Sequence, residues 1–284
     1  MLKLIECPRD AMQGLHDFIP TEVKADYINQ LLKVGFDTID FGSFVSPKAI
    51  PQLKDTADVL SKLNLDETSS KLLAIVANKR GADDACNFEE INYLGFPFSI
   101  SETFQKRNTN SSIEESFQRV AAIQNHCVAH NKKLVVYISM AFGNPYEDPW
   151  DIEVAAKWSR RLHKDLGIEI LALSDTIGVS NRQNVTELFS GLMSELPNVE
   201  FGAHLHSTPN SVQEKVAAAY EAGCRRFDGA IKGFGGCPMA KDDLTGNMPT
   251  EGMMAYFNTN NIGTNIDINE FNQSMKMALD VFPK

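Results

Sequence analysis

Short apolar runs alternate along this chain with longer segments in which apolar residues recur every three or four positions. The runs KLLAIVA, KLVVYISMAF and IEILAL have the length of strands, whereas TEVKADYINQLLKVG and SIEESFQRVAAIQNHCVAHN have the spacing of amphipathic helices. Ser112 and Glu115 fit a capping box at the start of the second of these helices. Strands that alternate with helices predict a parallel sheet.

The number of strand-helix units sets the predicted architecture. About eight units follow one another from LKLIE to RRFDGAI, which is the number that closes a TIM barrel. AIPQLKDTADVLSKL is predicted as a helix and FPFSI as the fourth strand, and two further helices are predicted near Thr250 and Asp267. We expect an α/β fold, a TIM (β/α)8 barrel with additional C-terminal helices, in a single domain over residues 1–284.

The predicted seventh strand, VEFGAHLH, ends in two histidines, His204 and His206. Residues two apart on a strand point to the same face, so both imidazoles can reach one cation. The carboxyl end of a barrel strand lies at the active face. The alternative is that His204 packs and His206 caps the next helix.

Two other strand ends carry groups suited to chemistry. Arg9 and Asp10 follow the first strand, where a carboxylate can bind a hard cation and an arginine can neutralise an enolate. The glycine-rich loop after the eighth strand carries Cys237, suited to proton transfer on a lid, and Asn247, whose carbonyl oxygen can bind a metal. The alternatives are a turn aspartate, a solvated arginine and an incidental loop cysteine.

The first, seventh and eighth strands are neighbours in a closed barrel, so these segments converge. Asp10, His204, His206 and Asn247 then form a mixed nitrogen and oxygen set with little charge. Such a set suits Mg²⁺ or Mn²⁺ better than a thiolate-rich zinc site and leaves positions open for substrate oxygens.

Polar side chains follow other strands as well. They could hydrogen-bond a substrate or contact phosphate, or they could cap helices and line solvated loops. These residues are Asp40, Ser43, Lys48, Lys106, Arg107, Ser174, Asp175 and Thr176. His126 and His130 have metal-compatible spacing on a helix, but this helix is expected on the outer ring and lacks the glutamate of a zincin motif. We interpret these two histidines as surface or packing residues.

Composition narrows the possible partners. The chain is 43% hydrophobic and 23% charged, with a net charge of −10, which argues against nucleic-acid or membrane-surface binding. Its five cysteines form no CxxC pair and are expected to be reduced thiols. We find no signal-peptide pattern and no apolar run of membrane-spanning length. These features predict a cytoplasmic protein without a nucleic-acid or membrane partner.

The motifs together closely resemble the 3-hydroxy-3-methylglutaryl-CoA lyase family of metal-dependent TIM-barrel lyases. The similar segments are ECPRDAMQ, SFVSPKAIPQ, SETFQKRNTNSSIEESFQR, NPYEDP, SDTIGV, HLH and GGCPMAKDDLTGNMPTE. The Gly-Gly-Cys-Pro loop and SFVSPK are the specific ones. Asp40 departs from the usual glutamate, and Ser207 from the usual aspartate.

The resemblance implies a role for each matching residue. Asp10, His204, His206 and Asn247 would bind the divalent cation. Arg9 would stabilise the enolate oxygen, Cys237 would handle a proton at carbon, and Asp40 or His204 would act as a base. The substrate would contact Gln13, Ser43, Asp175 and Lys48.

The implied reaction is a retro-Claisen cleavage of an acyl-CoA substrate to acetoacetate and acetyl-CoA, and the resemblance suggests a homodimer. A 2-oxo-acid aldolase or a Claisen-type synthase would share the metal site but generally lack the Gly-Gly-Cys-Pro loop. A non-catalytic metal- or acyl-CoA-binding relative is the third alternative.

Overall fold

A computed structural model describes residues 1–236 and 245–282. Across these residues, eight strands pair in parallel, and the sixth pairs with the seventh to close the sheet into a barrel. The strands are Lys3–Glu6 (β1), Thr38–Ser43 (β2), Lys71–Ile75 (β3), Ile91–Ser99 (β4), Lys133–Ser139 (β5), Ile170–Asp175 (β6), Glu200–Ser207 (β7) and Arg226–Gly229 (β8). A short strand, Gly246–Asn247 (β9), pairs antiparallel with β7. The predicted TIM barrel is confirmed.

Helices connect the strands and extend beyond the last of them. They are Pro8–Gln13 (α1), Thr21–Leu32 (α2), Thr56–Leu60 (α3), Lys79–Cys86 (α4), Glu102–Thr109 (α5), Ile113–Ala129 (α6), Ile152–Leu166 (α7), Arg182–Glu195 (α8), Val212–Glu221 (α9), Thr250–Thr259 (α10) and Ile268–Val281 (α11). Helices α10 and α11 confirm the predicted C-terminal pair, and α6 begins with the predicted capping box. Among the described helices, none has both the length and the apolar character needed to cross a membrane.

The segment after β2 differs from the single helix predicted there. It forms a 3-10 turn at Pro51–Leu53, followed by the short α3. The Thr56 hydroxyl donates to the carbonyl oxygen of Leu53 at 2.9 Å and accepts from the backbone nitrogen of Ser43 at 3.0 Å. These bonds tie the segment to the end of β2, and such side-chain bonds to the backbone compete with helix continuation.

Strand β4 begins at Ile91, earlier than the predicted FPFSI segment. A glycine near its middle, Gly95, weakens the strand pattern in the sequence. Its place in the barrel is set by packing, because a Cβ there would lie 2.5 Å from Cδ1 of Ile75 and 3.1 Å from Tyr137. The strand pattern is therefore interrupted at a position that has no room for a side chain.

The barrel interior has an apolar part and a polar part. The apolar part is filled from β3 to β6 by Leu73, Ile75, Tyr93, Val135, Tyr137, Ile170 and Ala172. Strand β8 adds the fully buried side chains of Arg226 and Asp228, two residues apart and so on one face. Asp228, near the carboxyl end of β8, thereby carries charge into the barrel beside His204 of β7.

Glu6 is a buried carboxyl at the end of β1. It accepts hydrogen bonds from the backbone nitrogen of Ile231 at 2.7 Å and from the hydroxyl of Thr250 at 2.6 Å, which ties β1 to the chain on either side of β9. Burial raises the pKa of Glu6 to about 8, although both hydrogen bonds oppose the shift. The carboxyl group is therefore protonated at neutral pH in the folded chain.

Replacing Glu6 with glutamine is expected to remove a pH dependence of stability. The folded chain holds this proton up to about pH 8, whereas an ordinary glutamate loses it near 4.5. The stabilising contribution is complete below about pH 4.5 and is lost as the pH rises through 8. The unfolding free energy of the wild type should fall relative to Glu6→Gln across this window, by at most about 1.4 kcal/mol per pH unit.

Urea unfolding of both proteins at a series of pH values measures this difference. Glutamine can still accept from Ile231 and donate to the hydroxyl of Thr250, so the variant is a close match in shape and contacts. Parallel stability curves for the two proteins between pH 4.5 and 8 would show that Glu6 is not the group that takes up the proton.

Candidate active site

The chain leaves β1 through Cys7 and turns at once into α1. Pro8 stands at the first helical position, where the absence of a backbone N–H costs nothing. The carbonyl oxygen of Cys7 accepts from the backbone nitrogens of Asp10 and Ala11. This turn of helix places Arg9 and Asp10 directly beyond the end of β1.

Arg9 is buried and bound to three polar side chains. Its Nε lies 3.1 and 3.0 Å from the two carboxylate oxygens of Asp40, and its Nη2 also contacts this carboxylate. Its Nη1 donates to Asp10 and to Gln13, each at 2.9 Å. Burial raises the pKa of Asp40 to about 6, against the lowering effect of Arg9. The guanidinium is thus held in one orientation.

Three predicted metal ligands converge beside this guanidinium. Ligand atoms of Asp10, His204 and His206 all lie within 4.8 Å of one another. Nε2 of His204 is 4.0 Å from a carboxylate oxygen of Asp10. Asn247 stands opposite His206 in the antiparallel pairing of β9 with β7. The structure therefore brings the four predicted ligands to one end of the barrel.

The charges of this cluster favour a cation. Burial opposes ionisation of Asp10, but Arg9 and the histidines lower its pKa overall. Burial lowers the pKa of His206 to about 4, so its imidazole is neutral at pH 7. Its Nδ1 is buried and has no hydrogen-bond partner in the described part of the chain. The amide nitrogen of Asn247 donates to the carbonyl of Phe234 at 2.8 Å, which leaves its side-chain oxygen as an acceptor.

The glycine-rich loop after β8 lies against this cluster. Gly235 has a positive φ of 83°. A Cβ at this position would meet the backbone oxygen of Asp10 at 2.8 Å and the side-chain nitrogen of Asn247 at 2.8 Å. Only glycine allows the loop to pass so close. Cys237 follows, outside the described residues, and its catalytic role stays a prediction.

Asp228 was not singled out from the sequence, yet it supports His204. Its carboxylate oxygen lies 3.2 Å from Nδ1 of the imidazole, and its side chain is fully buried. Burial lowers the pKa of His204, but Asp228 and Asp10 raise it overall. In the neutral ring, the contact with Asp228 places the proton on Nδ1 and leaves Nε2, the nitrogen that faces Asp10, with a lone pair. A carboxylate behind a ligand histidine is a recurrent feature of metal sites.

Replacing Asp228 with asparagine should weaken metal binding at the barrel mouth by about 10–100-fold. The reason is that an amide can present its NH₂ group to the imidazole and no longer fixes the tautomer. Calorimetric titration with Mn²⁺ measures the affinity, and Asp66→Asn, an exposed position, is the matched control. Equal affinities of the two variants for Mn²⁺ would show that Asp228 does not support metal binding.

Asp175 is placed at the end of β6, but its carboxylate already has protein partners. It accepts from Nζ of Lys215 at 2.7 Å and from the backbone nitrogens of Val179 and Ser180 at 2.9 and 3.0 Å. Lys215 also donates to the carbonyl of His206 at 2.8 Å. These bonds fix the ends of β6 and β7 next to the predicted metal ligands, and substrate contact by Asp175 stays a prediction.

The other predicted substrate residues differ in how far they are buried and in what they contact. Gln13 is on α1, where its side-chain nitrogen is 3.1 Å from Asp10. Ser43 is buried at the end of β2, with its hydroxyl oxygen 3.2 Å from the backbone nitrogen of Val45. Lys48 is exposed in the loop that follows. Gln13 is therefore the member of this group that the structure brings against a predicted metal ligand, Asp10.

Comparison with known proteins agrees with this geometry. The model of a family described as HMGL-like matches residues 3–277. The chain belongs to the HMGL-like family. It is 34% identical over 269 residues to hydroxymethylglutaryl-CoA lyase YngG of Bacillus subtilis, which covers 95% of this chain and 89% of that protein. The predicted resemblance is confirmed.

Solved structures of HMGL-like proteins share the whole fold. The crystal structure of a Bacillus subtilis HMG-CoA lyase aligns with a TM-score of 0.92 and 31% identity over 98% of this chain and 93% of that one. An HMG-CoA lyase from Acinetobacter baumannii, in complex with coenzyme A and 3-methylmalate, gives a TM-score of 0.89 and 31% identity over 99% and 91%.

Proposed function

We propose that this chain is a carbon–carbon lyase that cleaves 3-hydroxy-3-methylglutaryl-CoA, or a close 3-hydroxyacyl-CoA, to acetoacetate and acetyl-CoA. One observation carries the proposal: Asp10, His204 and His206 converge within 4.8 Å at the carboxyl ends of the strands, beside the buried fork of Arg9. The names of the relatives, which are HMG-CoA lyases at about a third identity, support this substrate.

We infer that the cluster holds a divalent cation, Mg²⁺ or Mn²⁺. Asp10, His204, His206 and the side-chain oxygen of Asn247 supply one carboxylate, two imidazoles and one amide. This donor set suits a hard or intermediate ion and leaves coordination positions free. The buried Nδ1 of His206 supports the fit, because this nitrogen of a neutral imidazole has no hydrogen-bond partner among the described residues. When bound, the ion would supply Lewis acidity toward the substrate's hydroxyl and neighbouring acyl oxygens.

Residues of the chain would then stabilise the negative charge that develops on the substrate and transfer the protons. The substrate hydroxyl loses its proton, the bond between C2 and C3 breaks, and its electrons pass into the enolate of acetyl-CoA. Arg9 would stabilise the enolate oxygen. Asp40 holds Arg9 and, with a pKa of about 6, would accept the hydroxyl proton through a water, since its own side chain is buried. Cys237 would protonate the enolate carbon, and His204 would act as a metal ligand.

We assign the remaining contacts to the acyl-CoA. Gln13 and Ser43 would hydrogen-bond the acyl portion near the ion, with Asp175 holding the strand ends below it. Lys48, Lys106 and Arg107 would meet the phosphates of coenzyme A at the rim, where Lys48 and Lys106 are exposed. The structure of a relative with bound coenzyme A supports this class of substrate. The homodimer also stays a prediction.

Incubation with Mg²⁺ and 3-hydroxy-3-methylglutaryl-CoA, with acetoacetate and acetyl-CoA as readouts, tests the proposal. We expect both products in equal amounts and none after removal of the metal with EDTA. Product from a related 3-hydroxyacyl-CoA alone would indicate a sister specificity, which Asp40 and Ser207 would explain. Cleavage of a 2-oxo acid instead would make the chain an aldolase.

A further inference from the structure

A second group of potential metal ligands lies between α4 and α6, on the outer ring of helices. Cys86 is the last residue of α4, His126 lies in the last turn of α6, and His130 is the C-cap residue that follows this helix. One ligand atom from each lies within 4.8 Å of the other two. The two imidazole rings are 4.3 Å apart between centroids. The sequence shows the pair of histidines, but only the packing of α4 against α6 adds the thiol.

The hydrogen bonds of this cluster leave donor atoms free for an ion. Nδ1 of His130 lies 2.9 Å from the carbonyl oxygen of His126, which places the ring proton on Nδ1 and the lone pair on Nε2. Asp83 stands one turn before Cys86 and brings a carboxylate oxygen to 2.9 Å from Nε2 of His126. This carboxylate can bind the same ion or hold the imidazole from behind, as carboxylates do at zinc sites.

The cluster is open to solvent on one side and closed on the other. Cys86 is 9% exposed, the side chain of His126 is 22% exposed, and His130 lies at the surface. Burial raises the pKa of Cys86, so its thiol keeps its proton until a metal ion displaces it. An ion can therefore enter past the imidazoles and reach the thiolate.

The charged groups that face the cluster do not block it. Lys79 binds the carboxylate of Asp83 at 2.9 Å from the exposed side. The ammonium of Lys132 is directed to the backbone carbonyls of Phe88 and Ile91, at 2.7 and 2.6 Å. An ion bound by both Asp83 and Nε2 of His126 would replace the contact between them, while both lysines can keep the partners named here.

We propose that Cys86, His126 and His130, assisted by Asp83, bind a borderline-soft divalent ion such as Zn²⁺ at a site separate from the barrel mouth. A thiolate with two imidazoles and a carboxylate is a tetrahedral zinc set, whereas the mouth offers the oxygen and nitrogen set of a harder ion. The ion would link the short α4 to the long α6 and so stabilise this part of the outer ring. The site does not depend on the proposed lyase activity.

Titration of the full-length protein with Co²⁺, followed by absorption spectroscopy, tests the site. Co²⁺ takes the place of Zn²⁺, and a thiolate ligand gives a charge-transfer band beside the visible bands of tetrahedral cobalt. We expect both in the wild type and in His206→Ala, whose change lies at the barrel mouth. We expect Cys86→Ala to lose the charge-transfer band, and Asp83→Asn to bind at least about tenfold more weakly.

His130→Gln distinguishes a loss of metal binding from a loss of folding, because His130 is exposed and its replacement leaves the core intact. This variant should keep its circular dichroism spectrum and its lyase turnover while its affinity for Co²⁺ falls about tenfold or more. A charge-transfer band that persists in Cys86→Ala but disappears in His206→Ala would place the thiolate site at the mouth. That result, or equal binding by the wild type, Cys86→Ala and His130→Gln, overturns the proposal.

Discussion

Replacing His206 with alanine is expected to lower turnover of 3-hydroxy-3-methylglutaryl-CoA by about 10³-fold, because several kcal/mol of transition-state stabilisation depend on the bound ion. The imidazole of His206 is neutral, buried and without a protein partner at Nδ1 among the residues described. Its loss leaves Asp10 and His204 with Asn247, which is too small a set to hold Mn²⁺ firmly in competition with water. Calorimetric titration should therefore show that Mn²⁺ binding at the mouth disappears together with turnover.

His16→Gln is the matched control, since His16 is an exposed histidine outside the ligand cluster. It should bind Mn²⁺ and turn over substrate as the wild type does. The circular dichroism spectrum of His206→Ala shows whether the strand pairing between β7 and β9 survives. A well-folded His206→Ala protein with wild-type Mn²⁺ affinity would exclude this histidine from the metal site.

Replacing Arg9 with lysine is expected to lower kcat by about 10²–10³-fold, the usual cost of removing a donor from a developing oxyanion. The guanidinium reaches Asp40, Asp10 and Gln13 at the same time through Nε, Nη1 and Nη2. A lysine ammonium is a single point charge and cannot hold these contacts in one plane. The defect should fall on kcat, with the affinity for Mn²⁺ nearly unchanged, because Arg9 is not itself a ligand.

Arg182→Lys provides the comparison for this variant. Arg182 is half-exposed on α8 and pairs with Glu221, so the same change is made far from the barrel mouth. We expect its kcat and KM to match those of the wild type. If Arg9→Lys turned over substrate as fast as Arg182→Lys, the enolate would have to be stabilised by another group.

The sequence predicted that Asp10, His204, His206 and Asn247 converge, because two simple rules apply to them. Residues two apart on a strand share a face, which brings His204 and His206 together. Parallel strands in a barrel end at the same mouth, which brings Asp10 to the histidines and Asn247 beside them. Both rules depend on the order of elements alone, so the convergence could be predicted without knowing any side-chain contact.

The supporting residues could not be predicted in the same way. Glu6, Lys215 and Asp228 are charged, and a charge in a sequence pattern usually indicates solvent. Each is buried because a partner lies far along the chain, such as Thr250 for Glu6 or Asp175 for Lys215. Pairings of this kind are set by tertiary packing, which no local pattern contains.

The cluster on the outer ring of helices also depends on tertiary packing that the sequence does not reveal. His126 and His130 have a spacing that suits a metal, but the segment lacks the glutamate of a zincin motif, and a surface or packing role was the simpler interpretation. The packing of α4 against α6 brings Cys86 and Asp83 to the pair. The helical period thus predicted that the two histidines lie on one face of a helix. It could not predict which residues pack beside that face.

Anomalous diffraction from crystals of this protein soaked in Mn²⁺ tests the central claim most directly. The account predicts a strong peak at the barrel mouth, bound at about 2.1 Å by Asp10, His204, His206 and the side-chain oxygen of Asn247, with Arg9 beside it. The absence of a peak at the barrel mouth, or an ion there that leaves the carboxylate of Asp10 unbound, would contradict it.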